Sequence, residues 1–428
     1  MRLEPIALGD ETRRRWIIVA ATAMTLAVTH GVWYAYSVFL VALTREFGWS
    51  RTLVSGAFSL FVLGNGFLGP MAGWMARRVG PRRLFLVGGT VMAIGLALAA
   101  ETTEWWHLYL AFGGIAAAGM GLSGWVTSVV LIQGWFPVQF GTAMGIASAG
   151  IGAGILAMVP LAELLIDGLG WRWAFRVEAI VTVAWIIPAA YWLVRDPPGL
   201  EIFDRGARRA TPAGGVGRHW TLTTAARTWR FWGVAGVYFT GNLVTQMLLI
   251  HQVAFLVDHG VSGLMAATVG GAVGLVSIPG KAGWGALSDR AGRELAVTLA
   301  FGCVALSLGA LVLAGRHPIP GWLYLYALLI GLGYSVLSAV FPAIASDLFG
   351  GPGFSVIYGT LYAVICLALA TGPWLAARIF DLTGSYAAAL WLGLGMAVLA
   401  PVLAWIVAPR RPNAPPPERQ SSAANLLP

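Results

Sequence analysis

The chain has 428 residues, of which 58% are hydrophobic and only 11% charged, against about 25% charged in an average soluble domain. Too few Asp, Glu, Lys and Arg are present to cover a soluble enzyme of this size, so lipid is its main solvent. Apolar runs longer than ~20 residues, rich in Ala, Leu and Gly, exclude a transmembrane β-barrel, whose strands alternate over ~10 residues. The net charge of +9 lies in short loops between these runs, where it signals orientation and calls for no nucleic acid.

Taken in chain order, the apolar runs predict twelve helices at about 16–43, 53–76, 84–100, 108–132, 142–166, 174–194, 231–257, 266–287, 295–315, 321–346, 356–380 and 385–408. The first run far exceeds the ~7–15-residue apolar core of a cleavable signal peptide, so none is expected. The fold class is an all-α polytopic membrane protein in two six-helix halves, 16–194 and 231–408. Between them, residues 195–230 carry seven arginines with Pro197, Pro198, Pro212, Gly214 and Gly215, the composition of a linker. Residues 1–15 form an N-terminal segment, and 409–428 a Pro- and Ser-rich tail expected to be disordered. Cys303 and Cys366 lie inside apolar runs and read as small packing residues without a disulfide.

With both termini on one side, that side holds twenty basic residues and the other six. Both termini are therefore expected in the cytoplasm, and the N-terminal segment, linker and tail with them.

The halves echo each other at one offset, 212 residues. Glu46-Phe-Gly-Trp-Ser50 matches Asp258-His-Gly-Val-Ser262, and Gly73-Trp-Met-Ala-Arg-Arg-Val-Gly80 matches Gly285-Ala-Leu-Ser-Asp-Arg-Ala-Gly292. Duplicated halves in parallel topology are a transporter architecture, with substrate held near the midplane between them.

Gly285-Ala-Leu-Ser-Asp289-Arg290-Ala-Gly292-Arg293 resembles the loop signature of the major facilitator superfamily. The resemblance implies a gating role at the cytoplasmic face for Asp289, Arg290 and Arg293, and for Arg77 and Arg78 in the first-half copy. There Arg77 replaces the family's aspartate. A narrower resemblance covers Phe39 to Arg51, Ser55 to Leu60, Trp135 to Gly150, Gly372-Pro373 and Asp381 to Tyr386. These segments are similar to bacterial monocarboxylate-transporter-like and oxalate/formate-antiporter-like carriers, although Gln139 and Phe140 replace a basic pair common there. The resemblance implies carriage of small organic anions, with protons or by exchange.

Of the 27 basic residues, 26 are arginine and one is a lysine, Lys281, inside the eighth run. A charge within a span costs at least ~2.5–3.5 kcal/mol, which makes it a functional candidate. It lies eight residues, or ~12 Å, from Asp289, and so well inside a ~30 Å core. Snorkelling to the headgroups is the competing explanation. In the carriers it resembles, a cation at this place, usually arginine, pairs with the substrate carboxylate. Lysine offers a point charge in place of a planar fork. Ser277 stands one turn earlier, where animal monocarboxylate carriers have an aspartate.

At the depth of Lys281, His30 and Tyr34 share one face of the first helix. Asn242 and Gln246 are their equivalents at offset 212, and Tyr334 and Tyr362 stand at similar depth in the tenth and eleventh helices, with Tyr358 nearer the cytoplasm. Interhelical hydrogen bonding is the bland alternative for each. His30 is the second candidate, after Lys281, to carry a proton. His251 reads as a packing residue. Glu163 and Glu178, near Arg172 and Arg176, read as an extracellular-side pairing or gate in preference to a central proton site.

The expected function is alternating-access transport of a small monocarboxylate such as lactate or pyruvate, coupled to protons. Anion exchange is the first alternative, and efflux of amphipathic compounds, suggested by 12% aromatic residues, the second. No HExxH pair, Gly-x-Ser-x-Gly elbow, metal-spaced Cys/His set or phosphate loop occurs. Hence no enzyme, cofactor, metal or nucleotide-driven pump is expected, and the carrier is expected to be monomeric in a bacterial inner membrane.

Overall fold

The computed structural model describes residues 7–136, 140–197, 220–349 and 354–407. Most of the linker and the whole tail thus lie outside the described residues. The described chain is helical, and twelve of its helices are long and apolar enough to cross a membrane. They are α1 (Ala7–Phe47), α2 (Arg51–Val79), α3 (Pro81–Ala99), α4 (Trp105–Trp135), α5 (Phe140–Leu169) and α6 (Trp171–Leu193) in the first half. The second half holds α7 (Trp229–Asp258), α8 (Gly263–Ala291), α9 (Arg293–Arg316), α10 (Pro320–Phe349), α11 (Phe354–Thr383) and α12 (Ala387–Val407).

The repeat seen in sequence is a repeat of turn chemistry. Gly48 and Gly260 both take positive φ, at 66° and 85°, and so do Gly80 and Gly292, at 91° and 104°. Only glycine adopts that region without strain. Ser50 and Ser262 cap α2 and α8 identically, accepting from the amides of Leu53 at 3.2 Å and Met265 at 3.3 Å. These caps, and not the apolar limits, set the helix ends.

Two helices predicted as continuous are broken. In α4 a π-helical stretch, Tyr109–Ala116, is followed by a break at Gly124 with φ −91° and ψ −136°. In α10 the helix stops at Ala339 and resumes at Phe341, next to Pro342, which brings no amide to the ladder.

α1 and α7 stand at the centre, and every residue of α7 from Thr240 to Leu256 is buried. The halves meet where α5 packs on α8, α2 on α11 and α1 on α7. Glycines make the first two contacts close: a Cβ on Gly152 would lie 2.5 Å from the Gly274 carbonyl, and one on Gly66 2.5 Å from Cys366 Sγ. The same helix faces diverge toward the side that carries the start of α1 and the end of α12, here the terminal face. Gly145, Gly285 and Gly359, two or three turns further along, would meet nothing within 4 Å. The halves are joined at the far face and parted at the terminal face.

Candidate functional site

Lys281 sits on α8 beside the α5 interface and reaches across it. Its Nζ donates to the Ser148 carbonyl of α5 at 3.4 Å, a long bond, and lies 6.0 Å from the ring centroid of Tyr334 on α10. Among the described residues no carboxylate pairs with it. One turn back, Ser277 Oγ donates to the Gly274 carbonyl at 2.7 Å. The Tyr334 hydroxyl neighbours Ser277 but is buried without a completed hydrogen bond. Lys281 thus places a cation at the interface of the halves, and Tyr334 an unsatisfied, buried hydroxyl close by. A carboxylate would satisfy both.

The helices of both halves bring further residues to this place. His30 on α1 lies within electrostatic reach of Lys281. Its Nδ1 is held near the Leu26 carbonyl at 3.2 Å, and its ring stacks on Trp33 at 6.2 Å. Tyr34 interacts with Tyr334 across the interface and with Tyr362, which in turn neighbours Tyr358 and Cys366. Lys281, His30, Ser277, Tyr34, Tyr334 and Tyr362 therefore form one cluster. The α7 amides stand apart from it. Asn242 Nδ2 turns back to the Tyr238 carbonyl at 2.8 Å, while Gln246 Nε2 is buried without a partner. Among the described residues no hydrogen bond joins either to Lys281.

At the far face one arginine of the first half holds three groups of the second. Arg51 donates to Asp258 Oδ1 at 2.7 Å and to the Tyr386 hydroxyl at 2.6 Å, and stacks over Phe380 at 3.9 Å. Asp381 caps the start of α2, accepting from the amides of Arg51 at 3.1 Å and Thr52 at 2.7 Å. Burial raises the Tyr386 phenol above its ordinary value, more than Arg51 lowers it, so it remains a neutral hydroxyl. His251, expected to be a packing residue, binds Tyr386 through Nδ1 at 2.9 Å and the Pro373 carbonyl through Nε2 at 2.8 Å. Sequence reasoning missed this lock, although Arg51, Asp381 and Tyr386 all stand in the segments that carried the narrower resemblance.

At the terminal face the described contacts of Arg293 and Arg78 lie within their own halves. Arg293 joins Asp289 at 2.5 Å, Ser288 at 2.6 Å and Asp347 at 3.0 Å, tying α8, α9 and α10 together. Arg78 stacks over Trp74 at 4.2 Å, and Arg290 is exposed on the same turn as Asp289. The side chain of Arg77 lies outside the described residues.

Glu178 departs from its expected pairing. Arg172 turns to Glu46 at 3.4 Å and to the Thr102 carbonyl at 3.2 Å, and Arg176 to Glu101 at 2.7 Å. Glu178 is six and two residues from these arginines, on another side of the helix. That spacing was the signal available in the sequence.

Two duplicated six-helix halves, joined at one face and parted at the other around a lysine that no carboxylate of the described residues pairs, define a membrane carrier. The sequence model of the Major Facilitator Superfamily matches residues 22–316 and 284–428, and the chain belongs to that superfamily. It is 26% identical over 392 residues to monocarboxylate transporter 3 of Rattus norvegicus, covering 90% of this chain and 78% of that protein. It is 25% identical over 369 residues to the oxalate:formate antiporter of Oxalobacter formigenes, covering 85% of each. It is 24% identical over 353 residues to the uncharacterized MFS-type transporter YhjX of Escherichia coli, covering 82% and 84%. The chain is a multi-pass membrane transporter, not an enzyme.

Proposed function

We propose that this transporter carries a small monocarboxylate, such as lactate or pyruvate, together with a proton, by alternating access across a bacterial inner membrane. The observation that carries the reading is Lys281: a cation at the interface of the halves whose only hydrogen bond among the described residues is a 3.4 Å contact to a carbonyl. Such a charge is costly until an anion pairs with it. Tyr34, Tyr334, Tyr362, His30 and Ser277 shape the place around that anion. The similarity to a monocarboxylate transporter supports the substrate class, and that to an oxalate:formate antiporter supports exchange as the second reading.

In this reading the terminal face is cytoplasmic, as the twenty basic residues on that side favour. The N-terminal segment, linker and tail then lie in the cytoplasm, and the described state is open inward. Asp289, Arg290, Arg293, Arg77 and Arg78 would meet across the halves only when that face closes. One chain supplies both halves, so a monomer suffices.

Uptake of lactate, pyruvate, formate and oxalate into proteoliposomes, with and without an inward proton gradient, tests the reading. Accumulation driven by outside acid supports symport; accumulation driven only by internal anion supports exchange. Lys281→Gln is expected to abolish both, and unchanged transport by that variant would remove the central claim.

A further inference from the structure

Among the described residues, Glu178 is the only Asp, Glu, Lys or Arg that is fully buried, at 1% exposure. Both of its carboxyl oxygens lack a hydrogen-bond partner. The arginines of its own helix are engaged elsewhere, as described above. α6 packs on α1, α3 and α5 and touches α4 through Phe175 and Phe112. On these neighbours the titratable groups nearest in level are His30, Tyr34 and Tyr36 of α1, Tyr109 of α4, Glu163 of α5, and Glu101 just beyond α3. Among the described residues none of them forms a hydrogen bond with the Glu178 carboxyl. Tyr36 and Tyr109 donate instead to the carbonyls of Val54 and Leu53, at 2.8 and 2.9 Å.

The position of this acid relates it to the anion site. Phe175 stacks on Phe39 with centroids 3.8 Å apart, and Trp185 Nε1 donates to Thr25 Oγ1 at 3.2 Å. Residues 175–185 of α6 therefore run antiparallel to residues 25–39 of α1. Glu178 lies in that slice, and so do His30 and Tyr34, which turn to Lys281 and to Tyr334. α1 stands between the buried acid and the lysine. A carboxylate without a partner is costly in such surroundings, and a proton is the one ligand small enough to enter a closed helix interface and remove the charge.

We propose that Glu178 is a proton-binding site of this carrier, and that it holds the proton that accompanies the anion bound at Lys281. The carboxylate and a proton combine to the acid and separate again; no other bond changes. The acid is sealed in while the far face is closed. The inference rests on the proton-coupled reading above.

The test uses the full chain in proteoliposomes loaded and assayed with lactate, pyruvate, formate or oxalate. Glu178→Gln imitates the protonated acid, so exchange of labelled for internal anion is expected to persist while accumulation driven by a proton gradient is lost. Gradient-driven accumulation with the wild-type pH profile in that variant would overturn the proposal. Should Glu178→Gln not assemble, Glu178→Asp keeps a carboxyl in altered surroundings and is expected to move the pH profile; an unmoved profile overturns the proposal. Infrared difference spectra of the purified protein give a reading independent of substrate. A protonated-carboxyl band that responds to medium pH and is missing in Glu178→Gln is expected, and identical spectra count against the site. Failure of the wild type to carry any of the four anions would overturn the anion reading instead, and the infrared result would still decide on Glu178.

Discussion

The hydroxyl of Tyr386 donates to Nδ1 of His251 while accepting from Arg51, so one oxygen links the two halves at the far face. The direction follows from donor counting. The Pro373 carbonyl can only accept, so His251 Nε2 must carry the proton toward it. In the neutral imidazole Nδ1 is then the acceptor, the Tyr386 O–H is its donor, and the remaining capacity of that oxygen meets Arg51. The chain from Arg51 through Tyr386 and His251 to Pro373 has one consistent set of proton positions.

Tyr386→Phe removes the middle of that chain and leaves His251 Nδ1 buried without a donor. Loss of a buried hydrogen-bond partner costs about 1–3 kcal/mol. The equilibrium is expected to move toward the far-face-open state, seen as faster labelling of a cysteine placed beside Asp381. Unchanged labelling would mean that the chain does not hold the face closed.

Arg51 and Asp258 form an ion pair across the halves with side chains 13% and 31% exposed. Because the arginine also meets Tyr386 and Phe380, Asp258→Asn is expected to weaken closure without abolishing it. The double variant with Arg51→Gln should cost less than the sum of the two single changes, by about 0.5–3 kcal/mol in a double-mutant cycle on the same labelling equilibrium. Strict additivity would show the pair to be uncoupled.

Lys281→Arg retains the cation but replaces a point charge with a planar fork. Anion binding is expected to survive, unlike in Lys281→Gln, with the balance between lactate and oxalate shifted toward the dicarboxylate. Competition for labelled lactate uptake measures that balance, and an unaltered ratio would argue against direct contact between residue 281 and the substrate.

Gly154 packs on the Ala27 carbonyl of α1, and a methyl group there would press into backbone that has no side chain to move aside. Gly154→Ala is expected to destabilise the first half by about 1–3 kcal/mol, read as a lower melting temperature of the purified protein in detergent. Gly145→Ala, where a Cβ would meet nothing within 4 Å, should leave melting unchanged.

Much of the fold was legible because its turns demand residues with few substitutes. Gly48 with Gly260, and Ser50 with Ser262, recur at one offset because the same left-handed turn and the same helix cap recur. Lys281 was legible for a different reason: a charge in an apolar run is conspicuous against its neighbours. The π-helical stretch of α4 was not, since the run Tyr109–Ala116 contains no proline, whereas the break in α10 had a signal in Pro342 that the apolar run around it obscured. The bonds of Arg51 were also out of reach, because its partners at 258, 381 and 386 are more than two hundred residues away. Glu178 was misread through proximity along the chain, where helical phase would have separated it from Arg172 and Arg176.

The duplication that gives the halves one architecture does not extend to Arg51, since the second half has Gly263 at the corresponding position. Among the described residues the ion pair and the tyrosine relay therefore occur once at the far face, without the second copy that parallel halves would place beside them. The far face is thus held asymmetrically, by a first-half arginine on second-half partners. A single substitution at that arginine therefore reaches the ion pair, the tyrosine bond and the stacking on Phe380 at once.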